Sequence, residues 1–81
     1  MKLTVLLFAA AKEAVGRDQV ELELPDPADV KQLRGQLSAD WPQLAAAAPT
    51  LHVAVNGEFA GDAVVLQPDD EVACFPPVSG G

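Results

Sequence analysis

Val30, Leu33, Leu37 and Trp41 recur at i, i+3, i+7 and i+11, which places them along one narrow stripe of a single helix. Pro25-Asp26-Pro27 fences the stripe on one side and Pro42 on the other, because proline lacks the backbone donor and clashes with the preceding turn. Asp29 is placed to cap the helix with Gln32 as its capping-box partner, although Asp26 followed by Pro27 offers a competing start. Gly35 falls on the face away from the stripe. A lone helix with one apolar stripe must lie on another apolar layer to bury it.

The remaining segments supply that layer as strands. Lys2 to Ala9 begins by alternating and becomes continuously apolar, which predicts a central strand whose later half, Leu6 to Phe8, is covered on both faces. Ala10 to Val15 is a short helix-compatible turn closed by Gly16, with Lys12 and Glu13 exposed. From Asp18 to Leu24 the period is strictly two, with Val20, Leu22 and Leu24 on one face and Gln19, Glu21 and Glu23 on the other. After the helix, Gln43 to Ala48 reads as a brief helical turn ending before Pro49, and Leu51 to Val55 as a strand. Asn56-Gly57 is the dipeptide most suited to a tight hairpin turn. Glu58 to Val65 reads as a short weak strand or a loop, Pro68-Asp69-Asp70 as a turn, and Glu71 to Phe75 as the last strand. The order strand, strand, helix, strand, short strand, strand implies an α+β mixed sheet with one main helix across it, a description the β-grasp fold meets.

Eighty-one residues hold one such domain and leave little apolar material for a private active site. Five Lys and Arg against twelve Asp and Glu give a net charge of −7, the wrong sign for nucleic acid or an anionic membrane surface. That acidity suits a protein partner with a basic face. No apolar run has the roughly 18 residues a membrane span needs, and the apolar start leads into Lys12 and Glu13 without the pattern of a signal peptide. Cys74 is the only cysteine, so the chain forms no internal disulfide and no multi-cysteine metal site, which points to the cytoplasm. Inside a strand it reads as a small buried apolar residue. His52, the single histidine, has no second ligand at metal spacing and reads as structural or solvated; Asp69-Asp70-Glu71 reads as an exposed turn.

The sequence from Phe75 to Gly81 is the remaining candidate. Pro76 and Pro77 stiffen the exit from the last strand, and Val78-Ser79-Gly80-Gly81 then loses side-chain bulk. The reading divides the chain into a domain over 1–76 and an extended tail over 77–81. Five extended residues reach about 17 Å, far enough to enter another protein's cleft. Two glycines without Cβ atoms pass a channel too narrow for other residues. A carboxylate at Gly81 is inert until a partner activates it, for example as an acyl-adenylate; an amine then gives conjugation and a sulfur donor gives a thiocarboxylate. The residues alone leave both outcomes open, beside that of an idle terminus.

Val5-Leu6-Leu7-Phe8-Ala9, Lys12-Glu13-Ala14-Val15-Gly16, Val53-Ala54-Val55-Asn56-Gly57-Glu58 and Asp70-Glu71-Val72-Ala73 leading into Phe75-Pro76-Pro77-Val78-Ser79-Gly80-Gly81 together resemble the family of small, sulfur-carrying subunits of molybdopterin synthase. The resemblance covers essentially the whole chain, and the Phe-Pro-Pro-Val-Ser-Gly-Gly end is its most specific part. Lys12, where family members often carry Arg, and Cys74, at a usually apolar position, depart from the pattern. The resemblance implies a ubiquitin-like fold and a cycle with two partners. An adenylating enzyme uses ATP to activate Gly81, a sulfur donor makes the thiocarboxylate, and the large catalytic subunit receives the tail and passes the sulfur to cyclic pyranopterin monophosphate. It further implies an assembly of two carriers with two catalytic subunits, no cofactor or metal held by this chain, and Phe8, Phe75, Pro76, Pro77, Val78, Ser79 and Gly80 as partner-binding residues. The thiamine-pathway carrier, a protein modifier that forms isopeptide bonds through Gly81, and a simple interaction domain are the competing readings.

Overall fold

The computed structural model describes residues 1–77. In chain order it contains β1 (Lys2–Leu7), α1 (Ala9–Val15), β2 (Gln19–Glu23), β3 (Ala28–Asp29) and α2 (Val30–Asp40). Two 3₁₀ turns, Pro42–Leu44 and Ala48–Thr50, lead to β4 (His52–Val55), β5 (Glu58–Phe59), β6 (Val65–Leu66) and β7 (Val72–Phe75). Five strands form one sheet in the order β2-β1-β7-β4-β5. Its central pair, β1 and β7, is parallel with Val5 opposite Val72 and Leu7 opposite Cys74; every other neighbouring pair is antiparallel. Parallel neighbours need a crossover connection, and α2 lies within it. This is the β-grasp arrangement that the segment order implies.

α2 begins where its local chemistry dictates. The Asp29 carboxylate accepts from the Gln32 N–H at 2.8 Å and the Gln32 side chain accepts from the Asp29 N–H at 2.9 Å, so both arms of the capping box form. Asp26-Pro27, the competing start, is a cis peptide ahead of β3. Val30, Leu33 and Leu37 are fully buried against the inward row of the sheet, Leu3, Val5, Leu7, Val20, Leu22, Val53, Val72 and Cys74. Trp41 closes the helix half-buried, with the Arg17 guanidinium 5.8 Å from its ring centre. Arg34 ties the helix to the following loop: it donates to the Leu51 and Ala48 carbonyls and to the Asp62 carboxylate. Gly16 closes α1 with a φ of 80°, and Asn56 and Gly57, with φ of 52° and 82°, make the tight turn between β4 and β5.

Three sequence expectations are corrected. β1 ends at Leu7 and is buried on one face only: Leu6 is half-buried, and Phe8, just past the strand, is 49% exposed. One main helix covers one side of a sheet, so the other side stays open. The region expected as a single weak strand or loop holds two strands, β5 and β6, and β6 pairs with β3 in a second, two-stranded sheet. Pro49 lies inside the second 3₁₀ turn rather than after a helical turn, at an early position where its missing N–H leaves no bond unmade.

Candidate docking face and tail root

The last strand brings the tail to the middle of the sheet. β7 sits between β1 and β4, and the Phe8 N–H donates to the Cys74 carbonyl at 3.2 Å one residue before Phe75. Strand alternation sends Val72 and Cys74 into the core and Ala73 and Phe75 to the open face. Register then aligns a row across four strands: Leu6 opposite Ala73, Ala73 opposite Ala54, and Ala54 opposite Phe59. A second row at the tail end holds Phe75 opposite His52. The rings of His52, Phe59 and Phe75 form a cluster with centroids 5.6 to 5.8 Å apart.

The open face is divided by character. Its β2 side is polar, with Gln19, Glu21 and Glu23 exposed and the Lys2 ammonium 3.8 Å from the Glu21 carboxylate. Its tail side is apolar, with Phe8 49% and Phe59 76% exposed. Two large apolar residues left in water beside half-buried Leu6, Ala54, Ala73 and Phe75 make a contiguous patch of the kind that binds another protein. Ala9, directly after Phe8, has a φ of 52°, a conformation that costs an L-residue about 1–2 kcal/mol. That strained turn sends the chain into α1.

The expected partner-binding residues Phe8 and Phe75 therefore lie on the open face of the sheet. Pro76 follows Phe75 half-buried and Pro77 is exposed. Val78, Ser79, Gly80 and Gly81 lie outside the described residues. Phe59 is a member of the patch that sequence reading did not select. Its signal was nonetheless present: a two-residue Asn56-Gly57 turn fixes the register that sets Phe59 opposite Ala54.

The other candidates resolve into packing and turns. Cys74 is 1% exposed, and burial pushes its thiol up to about 11, against a smaller downward pull from the Arg34 charge. A thiol so placed is a core residue and not a nucleophile at neutral pH. Asp70 locks the turn before β7: its carboxylate accepts from the Gln67 N–H at 2.7 Å and from Asn56 Nδ2 at 2.8 Å, while Asn56 Oδ1 accepts from the Glu71 N–H. Among the described residues no group of three His, Cys, Asp or Glu side chains is placed to hold a metal ion. Lys12 is exposed and borders a surface depression with Phe8 and Asp18. No helix among the described residues is long and apolar enough to cross a membrane.

A β-grasp domain whose last strand ends at an apolar open face has the form of a small carrier or modifier that works on other proteins. The chain belongs to the ThiS family, whose model matches residues 5–81. It is 37% identical over 83 residues to the molybdopterin synthase sulfur carrier subunit of Chlamydomonas reinhardtii, with all of both chains covered. Among solved structures it is similar to SAMP1 from Haloferax volcanii, a small archaeal modifier protein, with a TM-score of 0.89, 29% identity and full coverage of both chains. It also shares its fold with a chain from the complex of subunits 1 and 2 of molybdopterin-converting factor from Helicobacter pylori, with a TM-score of 0.69, 21% identity and full coverage of both.

Proposed function

We propose that the chain is the sulfur carrier subunit of a molybdopterin synthase and that Gly81 is its reactive position. The observation that carries this reading is the placement of Phe75, which belongs both to the strand from which the tail leaves and to the apolar patch with Phe59 and His52. A partner that covers the patch receives the tail in the same event. The full-length likeness to the algal sulfur carrier supports the choice of chemistry.

In this cycle a Gly81 carboxylate oxygen attacks the α-phosphorus of ATP in the adenylating enzyme and pyrophosphate leaves. Sulfur at the sulfide level, supplied by the donor, then attacks the acyl carbon, AMP leaves with the carboxylate oxygen, and the sulfur remains on Gly81 as the thiocarboxylate. The thiocarboxylate is anionic and nucleophilic near neutral pH. Threaded through Pro76, Pro77, Val78, Ser79 and Gly80 into the large catalytic subunit, it bonds through sulfur to a carbon of cyclic pyranopterin monophosphate, and water cleaves the acyl–sulfur bond to return the Gly81 carboxylate; two carriers serve each molecule of product in an assembly of two carriers and two catalytic subunits. ATP is used by the adenylating enzyme, and this chain holds no cofactor. The cycle runs in the cytoplasm, where Cys74 stays a thiol.

Intact mass spectrometry of the chain, incubated with the adenylating enzyme, ATP and a sulfur donor, tests the proposal. The expected product is heavier by the replacement of one oxygen by sulfur, localised to Gly81. An unchanged mass under conditions that support molybdopterin formation overturns it. The likeness to the archaeal modifier protein favours a second reading, conjugation of Gly81 to lysines. A ladder of heavier covalent adducts in cells, without thiocarboxylate, selects that reading.

A further inference from the structure

His52 puts a titratable ring into the apolar corner of the docking face. Its imidazole is exposed and packs at 5.6 Å from the Phe59 ring and 5.8 Å from the Phe75 ring. The elements around it offer it no free counter-charge among the described residues. Arg34 of α2 lines the same shallow cavity of about 310 Å³, but its guanidinium is committed to the Asp62 carboxylate and to the Ala48 and Leu51 carbonyls. Glu58 of β5 is opposite Val55 and so belongs to the other face from Phe59. β7 presents Phe75 on this side and buries Cys74 on the other.

In water an imidazole takes up a proton near pH 6.5 at little cost. Covered by an apolar partner surface, the charged ring loses its hydration without gaining a carboxylate, whereas the neutral ring packs as an aromatic. The net charge of −7 favours a partner whose surface around that apolar contact is basic, which further disfavours a positive His52.

Resting on the carrier reading, we infer that the large catalytic subunit binds the open face with His52 neutral, so that docking weakens as pH falls through the imidazole range. The free chain binds one more proton than the complex in that range. For an ordinary imidazole held neutral in a complex, the loss of affinity between pH 7.5 and pH 5.5 is about tenfold.

The test is the Kd of the full chain for its large catalytic subunit, measured by calorimetry from pH 5.5 to 7.5 at constant salt. Wild type is compared with His52→Leu, and Phe59→Glu at pH 7.5 serves as the control for the docking face. The expected result is that His52→Leu lacks the tenfold loss at low pH that wild type shows, so the ratio of the two Kd values changes with pH. Parallel profiles overturn the inference while leaving the carrier reading intact, and so does a wild type that binds tighter at low pH relative to the variant. Binding of Phe59→Glu as tight as wild type places the interface elsewhere, overturning the docking face and the inference together.

Discussion

Replacing Leu33 by Ala tests whether α2 is the element that holds the sheet together. Leu33 is 0% exposed at the centre of the stripe. The change removes three carbon atoms, worth about 2.4 kcal/mol of transfer energy at about 0.8 kcal/mol each. The partly relaxed cavity raises the loss to about 3–4 kcal/mol, within the range for buried leucines. A domain of this size has on the order of 4–12 kcal/mol of stability in all, so the variant loses a large part of it. Its midpoint falls on the order of 15–25 °C. Urea denaturation followed by the emission of Trp41 measures the loss, since this half-buried ring closes α2 and changes environment on unfolding. Lys31→Ala, on the exposed side of the same helix, is the matched control and should change stability by less than about 0.5 kcal/mol. A loss below about 1 kcal/mol at Leu33, or equal losses at both positions, would show that the stripe is not the core contact.

Other perturbations separate the helix, the buried thiol and the tail. Gly35 is exposed in mid-helix, and a Cβ added there would meet nothing within 4 Å, so Gly35→Ala should stabilise the domain by about 0.5–1 kcal/mol in the same urea assay. The folded Cys74 thiol ionises at about 11 against 9.0 in the unfolded chain, so its contribution is complete below pH 9 and is lost as pH rises from 9 to 11. Relative to Cys74→Ala, wild type should lose up to about 3 kcal/mol across that window, and parallel alkaline denaturation curves would contradict the buried placement. Deleting Gly81 should leave the thermal midpoint unchanged, because the core ends with β7, and should abolish sulfur transfer to the pterin; normal molybdopterin formation by the truncated chain would sink the carrier mechanism.

What was legible in the sequence follows the range of each interaction. The capping box of Asp29 and Gln32 and the Asn56-Gly57 turn act over two to four residues, so both were legible locally, although only the structure excludes the start at Asp26-Pro27. β2 was legible because one buried face imposes a strict period of two. β3 and β6 were not, since two-residue strands have no period to read and meet only after α2, β4 and β5 have intervened. The apolar run Leu6-Leu7-Phe8 was ambiguous for a deeper reason. Burial between two layers and exposure on a docking face demand the same residue types, and only the tertiary structure distinguishes them.

That ambiguity bears on how so small a chain works. Among the apolar residues that one helix does not cover, Leu6, Phe8, Phe59 and Phe75 lie on the open face beside the last strand. Because β7 is held by β1 on one side and β4 on the other, the tail leaves from the middle of the sheet and not from an edge. A partner seated on Phe59 and Phe75 thereby fixes the origin of the tail. Pro76 and Pro77 set its initial direction. Position and direction, which a larger enzyme fixes with a private cleft, are fixed here by register, by ring placement and by two prolines. In the proposed cycle the adenylating enzyme and the catalytic subunit carry the nucleotide and acid–base chemistry, and this acidic domain supplies the surface on which they dock.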